Sequence, residues 1–193
     1  TLFPYTTLFR SPAACLVVGA ALPSCSPIGP PKPPPRAQWV LYQWHDDGIG
    51  GPVRIRIDLT RQRLTAFRDQ REVGWCVVAT GLEGHSTPAG SYRISEKVVD
   101  KHSTIYGVIK DAEGYTINED ARAGRDRVPP GCQFVPAPMP YWQRLTSYGI
   151  GMHAGPIPRP GEPASHGCIR MPHEFAPLLF DATTLGTPVT ITR

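Results

Sequence analysis

Between Val53 and Thr80 the chain repeats one alternation in three successive segments, a pattern that a β-sheet satisfies and a helix does not. Val53, Ile55, Ile57 and Leu59 fall on one side of an extended segment while Arg54, Arg56 and Asp58 fall on the other. This is the period-two signature of a strand with one buried face and one wet face. After a short turn Arg63 to Arg68 (RLTAFR) continues the pattern, and Asp69-Gln70-Arg71 separates it from the β-branched run Glu72 to Thr80 (EVGWCVVAT). The three predict a β-meander. A breaker cluster, Ser86-Thr87-Pro88-Ala89-Gly90, then sets a turn, because Pro presets one dihedral and Gly permits positive φ, and Ser91 to Val99 predicts the next strand. Helices have little room in a chain with 23 Pro among 193 residues. The best helical segment is Pro172 to Ala182 (PHEFAPLLFDA), with Pro172 in its first turn and Pro177 expected to weaken or kink it. Thr187 to Thr192 predicts a closing strand that tolerates Pro188 at its start. From Asp100 to Pro138 the pattern fades, apart from Thr104 to Ile109 and Phe134-Val135, which predicts a long functional loop or lid rather than a second domain. The expected fold class is mainly β, with one or two short helices.

The N-terminal part reads differently. Thr1 to Ser11 (TLFPYTTLFRS) resembles the in-frame translation of a sequencing adapter and is set aside as an artefact. Residues 12–24 read as a truncated export signal, since Ala13 to Leu22 has the length of a signal-peptide apolar region and is too short to span a bilayer. Leu22-Pro23-Ser24-Cys25 resembles a bacterial lipoprotein cleavage site, with Pro23 departing from the small residue usual there. Unless the apolar run is a chance one, Cys25 is expected either to carry lipid, anchoring the protein to a membrane, or to follow a plain secretory signal. Both forms are exported, to the periplasm or cell envelope. Six of the nine residues from Pro27 to Pro35 are Pro, so residues 25–38 predict an extended polyproline tether ahead of a folded domain at 39–193. No run approaches the roughly 18 apolar residues of a membrane span. A formal charge of +4, weak and dispersed, argues against nucleic acid as a partner.

Cysteine usage narrows the chemistry. Of the five, Cys15 and Cys25 lie in the export segment, leaving Cys76, Cys132 and Cys168, an odd number for an oxidising compartment. Cys76 and Cys132 are open to disulfide pairing, or Cys76 to burial as a small hydrophobe. Cys168 sits in Ser165-His166-Gly167-Cys168-Ile169-Arg170. A thiol with a pKa of about 8.5 attacks effectively at neutral pH when an imidazole accepts its proton or stabilises its thiolate. His166 is two residues away, but His153 is the better base. It ends a predicted strand, and the stiff loop Gly155 to Ala164, with four Pro and two Gly, can return Cys168 beside it. The backbone amides of Gly167 and Cys168 are candidates to meet a developing oxyanion. A cysteine-dependent acyl-transfer site needs no cofactor and no metal.

These residues resemble the catalytic domain of bacterial L,D-transpeptidases, whose signature is a His followed after a spacer by Ser/Thr-His-Gly-Cys. The resemblance extends from about Val53 to Ile191 and includes Thr87-Pro88-Ala89-Gly90 and Gly186-Thr187-Pro188-Val189. It implies a β-sandwich-like domain acting on peptidoglycan stem peptides. Cys168 would attack the carbonyl of the third stem residue, release terminal D-alanine as a thioester forms, and pass the acyl group to an amine of another stem, making a 3→3 cross-link. It implies His153 as base, the Ala154 carbonyl as its orienting group, and carbapenems as covalent inhibitors. If water replaces the amine, the same site is an L,D-carboxypeptidase. Arg170 is open to pairing with a substrate carboxylate or to anchoring its loop, Ser165 to hydrogen bonding within the loop, and His166 to a supporting role. Tyr106, Met139, Tyr141 and Trp142 are candidates for the cleft or for the core. Two other readings compete: a zinc peptidase using His153, His166 and Cys168, and a tethered wall-binding module in which Cys168 is incidental. The absence of HExxH or paired CxxC weighs against zinc.

Overall fold

The computed structural model describes residues 39–46, 48 and 50–193. The adapter-like segment, the export signal, Cys25 and the polyproline tether lie outside the described residues. The meander forms as its alternation requires. β2 (Val53–Asp58) pairs antiparallel with β3 (Arg63–Arg68), which pairs antiparallel with β4 (Arg71–Val77), and β1 (Tyr42–Trp44) adds to the outer side of β4. Val53, Ile55, Ile57, Leu64, Ala66, Val73 and Cys76 are buried, while Arg54 and Arg56 stay exposed. The closing strand β13 (Pro188–Thr192) lies parallel to β2 and antiparallel to β5 (Gly90–Arg93), completing a six-stranded sheet in the order β1-β4-β3-β2-β13-β5.

A four-stranded sheet supplies the other wall of the core. β6 (Glu96–Val98), β10 (Trp142–Arg144), β11 (Gly151–Ala154) and β12 (Ile169–Met171) stand in the order β12-β11-β10-β6. The single strand expected over Ser91 to Val99 is therefore two. At its break the Ile94 amide donates to Thr187 and the Ser95 amide to Arg144, so the chain leaves one sheet for the other there. Met152, Ala154, Ile169 and Met171 pack with the buried face of the first sheet around Phe175 and Leu179 of α1 (Phe175–Ala182). Phe175 meets Tyr42 and Trp44 edge-on at 6.0 and 5.6 Å. Pro172 precedes this helix, and its carbonyl accepts the amides of Phe175 and Ala176. Pro177 is the third helical residue, where an amide has no intrahelical acceptor, so it interrupts nothing. Among the described residues no helix is long and apolar enough to cross a membrane.

Where the pattern fades, the structure builds strands rather than an irregular loop. β7 (His102–Lys110) is flanked by β8 (Thr116–Arg122) and β9 (Gln133–Pro138) in a separate three-stranded antiparallel sheet. Gly107 permits it: a Cβ there would lie 2.3 Å from the Val135 carbonyl oxygen.

Candidate active site

Two parallel strands bring the candidate base and nucleophile together. β11 and β12 pair with Met152 opposite Ile169, His153 opposite Arg170 and Ala154 opposite Met171. Side chains alternate, so Met152 and Ile169 enter the core while His153 and Arg170 share the other face. Cys168, two residues before Arg170, falls on that face too. A parallel pair needs a crossover of a dozen or more residues, which the loop from Gly155 supplies. The loop is pinned where Ala164 and Ser165 donate to the Thr80 carbonyl at 2.9 and 3.0 Å, and where Ala79 and Arg170 exchange backbone hydrogen bonds. His153, Ser165, His166, Cys168 and Arg170 all line one cleft of about 650 Å³.

The geometry fixes the protonation of the pair. His153 is buried and its Nδ1 lies 2.8 Å from the Ala154 carbonyl oxygen. A carbonyl only accepts, so Nδ1 carries the hydrogen and the neutral ring keeps its basic lone pair on Nε2. Burial pushes the His153 pKa down to about 4; the Ala154 carbonyl opposes this, while the charges of Arg170 and His173 add to it. Burial raises the Cys168 thiol, with the Gly151 backbone hydrogen bond and the Arg170 charge pulling it partly back. At neutral pH the cleft thus holds a thiol and a neutral imidazole, and the thiol proton must leave as attack occurs. The thiol itself points to the Gly149 carbonyl at 3.7 Å.

The nucleophile turn is held by hydrogen bonds. Ser165 Oγ donates to the Cys168 carbonyl at 2.5 Å and accepts the Gly167 amide at 3.1 Å. This corrects the reading of Gly167 as a free oxyanion donor, because its amide is engaged; the Cys168 amide remains the candidate. Gly167 has φ +113°, a conformation that favours glycine. Its carbonyl accepts from Thr87 Oγ1 at 2.7 Å, and Thr87 Oγ1 accepts the Gly81 amide at 2.9 Å. Behind it, Gln62 exchanges hydrogen bonds with Thr80 at 2.7 and 2.8 Å. Thr87 was visible only as part of a turn motif, and Gln62 had no local signal.

Of the four cleft candidates, Tyr106, Met139 and Trp142 line the cleft. Tyr141 does not: it packs on the core, with its ring 5.7 Å from Phe180. Trp142 is nearly buried, donates from Nε1 to Glu96 at 2.8 Å and lies 6.2 Å from the His153 ring. Gly151 makes room for it, since a Cβ there would meet the indole at 2.6 Å. His85 and His102 carry no motif, yet His102 lines the cleft and His85 meets the His166 ring edge-on at 4.9 Å. Cys76 and Cys132 are both free, with Cys76 buried on the core face of β4, so the pairing left open by the sequence does not form. Among the described residues no group of three or more His, Cys, Asp or Glu is placed to hold a metal ion.

Comparison with known proteins agrees with this architecture. The family model of the YkuD L,D-transpeptidase catalytic domain matches residues 52–191. The chain belongs to that family. It is 29% identical over 126 residues to the probable L,D-transpeptidase 3 of Mycobacterium tuberculosis (strain ATCC 25618 / H37Rv), covering 62% of this chain and 39% of that protein. The chain thus spans about two fifths of the length of that relative. An L,D-transpeptidase from Mycobacterium smegmatis shares the fold, with a TM-score of 0.56 at 20% identity over 75% of this chain and 60% of that one. Another L,D-transpeptidase, solved in complex with imipenem, superposes with a TM-score of 0.55 at 22% identity over 74% of this chain and 60% of that one.

Proposed function

We propose that this protein is an exported L,D-transpeptidase that cross-links peptidoglycan stem peptides through a thioester on Cys168. The observation that carries the reading is the shared face of β11 and β12, where a neutral His153 with a free Nε2 and the Cys168 thiol open on one cleft. As Sγ bonds to the carbonyl carbon of the third stem residue, His153 Nε2 takes the thiol proton and the Cys168 amide receives the developing oxyanion. The C–N bond to terminal D-alanine then breaks, with the proton passing from His153 to the departing amine. An amine of a second stem attacks the thioester, gives up a proton to His153, and leaves as the 3→3 product while the thiol is restored.

The cleft suits an anionic peptide. Lys101, Arg122, Arg144 and Arg170 line it, and no Asp or Glu does. Glu96 offsets Arg144 at 2.8 Å and Lys101 at 3.5 Å from outside the lining. Arg170 has its stem accommodated by Gly155, where a Cβ would stand 3.2 Å away, and its guanidinium is the group we assign to a stem carboxylate. The fold of the imipenem-bound neighbour supports carbapenems as acylating inhibitors here. Incubation with tetrapeptide muropeptides and separation of the products tests the function: cross-linked dimer with released D-alanine is expected. Tripeptide alone would make the enzyme an L,D-carboxypeptidase, and unchanged substrate would remove the catalytic reading in favour of wall binding.

A further inference from the structure

We propose that Asp120 is a positioning residue: its carboxylate clamps the His166 imidazole and so holds the β7–β8–β9 sheet against the nucleophile turn, setting the width of the donor cleft. The His166 ring is held from three sides. Tyr106 stacks on it with centroids 4.3 Å apart and planes 14° from parallel, His85 meets it edge-on, and its Nε2 lies 3.1 Å from Asp120 Oδ1. Two of these partners, Tyr106 and Asp120, belong to the three-stranded sheet, whereas His166 adjoins Gly167 and Cys168. The contact is a salt bridge when the His166 ring is protonated, and the Tyr106 stack and the His85 edge hold the ring in either state. With His166 Nε2 beside Asp120, His153 is the base we assign.

The ladder shows how Asp120 is aimed. Tyr106 stands opposite Arg122 and Gly107 opposite Ala121, but Ile109 stands opposite Asn118, so Glu119 and Asp120 together face Val108 alone. Such a bulge inserts one residue and re-aims side chains. The Asp120 amide donates to Asn118 Oδ1 at 3.0 Å, fixing the bulged segment. At its other end the sheet is rooted in the core by backbone hydrogen bonds from Met139 to Lys101 and from Tyr141 to Val99. Lys101, the first residues of β7 as far as Tyr106, and Arg122 line one wall of the cleft. A wall rooted at one end and clasped at the other over the thiol fixes the space in which a donor peptide lies.

The test uses the whole chain as wild type, D120A and D120N, with two measurements. The Asp120 side chain is 67% exposed and that of His166 25%, so the clasp is worth less than a buried pair. Amide hydrogen exchange over residues 103–109 and 116–122 is expected to be roughly three- to tenfold faster in D120A, with D120N, which keeps a neutral acceptor, near wild type. KM for a tetrapeptide donor is expected to rise by a similar factor in D120A while kcat stays within about twofold. Equal exchange in all three proteins would overturn the clamp. Faster exchange with an unchanged KM would overturn its control of the cleft. The kinetic arm rests on the transpeptidase reading, but the exchange arm does not: exchange that responds in a protein unable to turn over stem peptides would sink that reading and leave the clamp standing.

Discussion

The Ala154 carbonyl decides what His153 can do. By holding the hydrogen on Nδ1 it leaves Nε2 as the nitrogen able to accept a proton, and burial keeps the ring neutral down to about pH 4. Only the neutral ring can take the thiol proton, so activity is lost as pH falls through the folded-state value. The acid limb of kcat/KM is therefore expected near pH 4, and a limb near the ordinary histidine value of about 6.5 would show that the ring is solvated in the working enzyme. Thr87 is the second residue on which the site depends, because one hydroxyl joins Gly81 to Gly167. T87V leaves both backbone groups without that partner inside the protein, at a cost of about 1–3 kcal/mol, and is expected to lower Tm and kcat together, while T87S retains both. Denaturation curves beside initial rates measure this. The signature that nominates Cys168 and His153 was legible in the sequence because it is local and rich in chemistry. Thr87, Gln62 and Asp120 were not, because their partners lie 80, 18 and 46 positions away in the chain and only folding reveals them.

Elements were legible where burial leaves a period. The β2–β3–β4 meander alternates because one face is core and the other is water. The β7–β8–β9 sheet faces no such contrast: most of its residues are exposed or half-buried, with Gly107, Ile109 and Ala121 the buried ones. Without a buried face the alternation vanishes, and a sheet reads as a loop. The break between β5 and β6 was hidden for another reason, since both halves are strand-like and only the change of partner separates them. The end of α1 was silent in the sequence as well. Lys97, from β6, donates to the carbonyls of Phe180 and Thr183 at 2.5 and 2.6 Å and sits 4.1 Å from the Phe180 ring centroid. This cation adds a charged donor to the carbonyls at the helix end, where Phe180 also accepts from Thr183. K97M is expected to cost about 1 kcal/mol, a Tm drop of roughly 2–4 °C by calorimetry, with the donor KM unchanged because Lys97 turns to the end of α1 and does not line the cleft.

Across the described domain, the six-stranded sheet and α1 pack against the four-stranded sheet, which carries the proposed base His153 on β11 and, just ahead of β12, the proposed nucleophile Cys168. The three-stranded sheet adds Arg122 to the cations of the cleft, beside Arg144 and Arg170 of the four-stranded sheet. The most direct measurement is intact-mass spectrometry of the reduced protein mixed with a tetrapeptide donor and quenched in acid, followed by peptide mapping. The expected result is a mass gain equal to the tripeptide acyl group, with one D-alanine released per adduct, mapped to Cys168 and absent from C168A. Turnover that persists in C168A, or an acyl group mapped to any other residue, would contradict the assignment of the nucleophile.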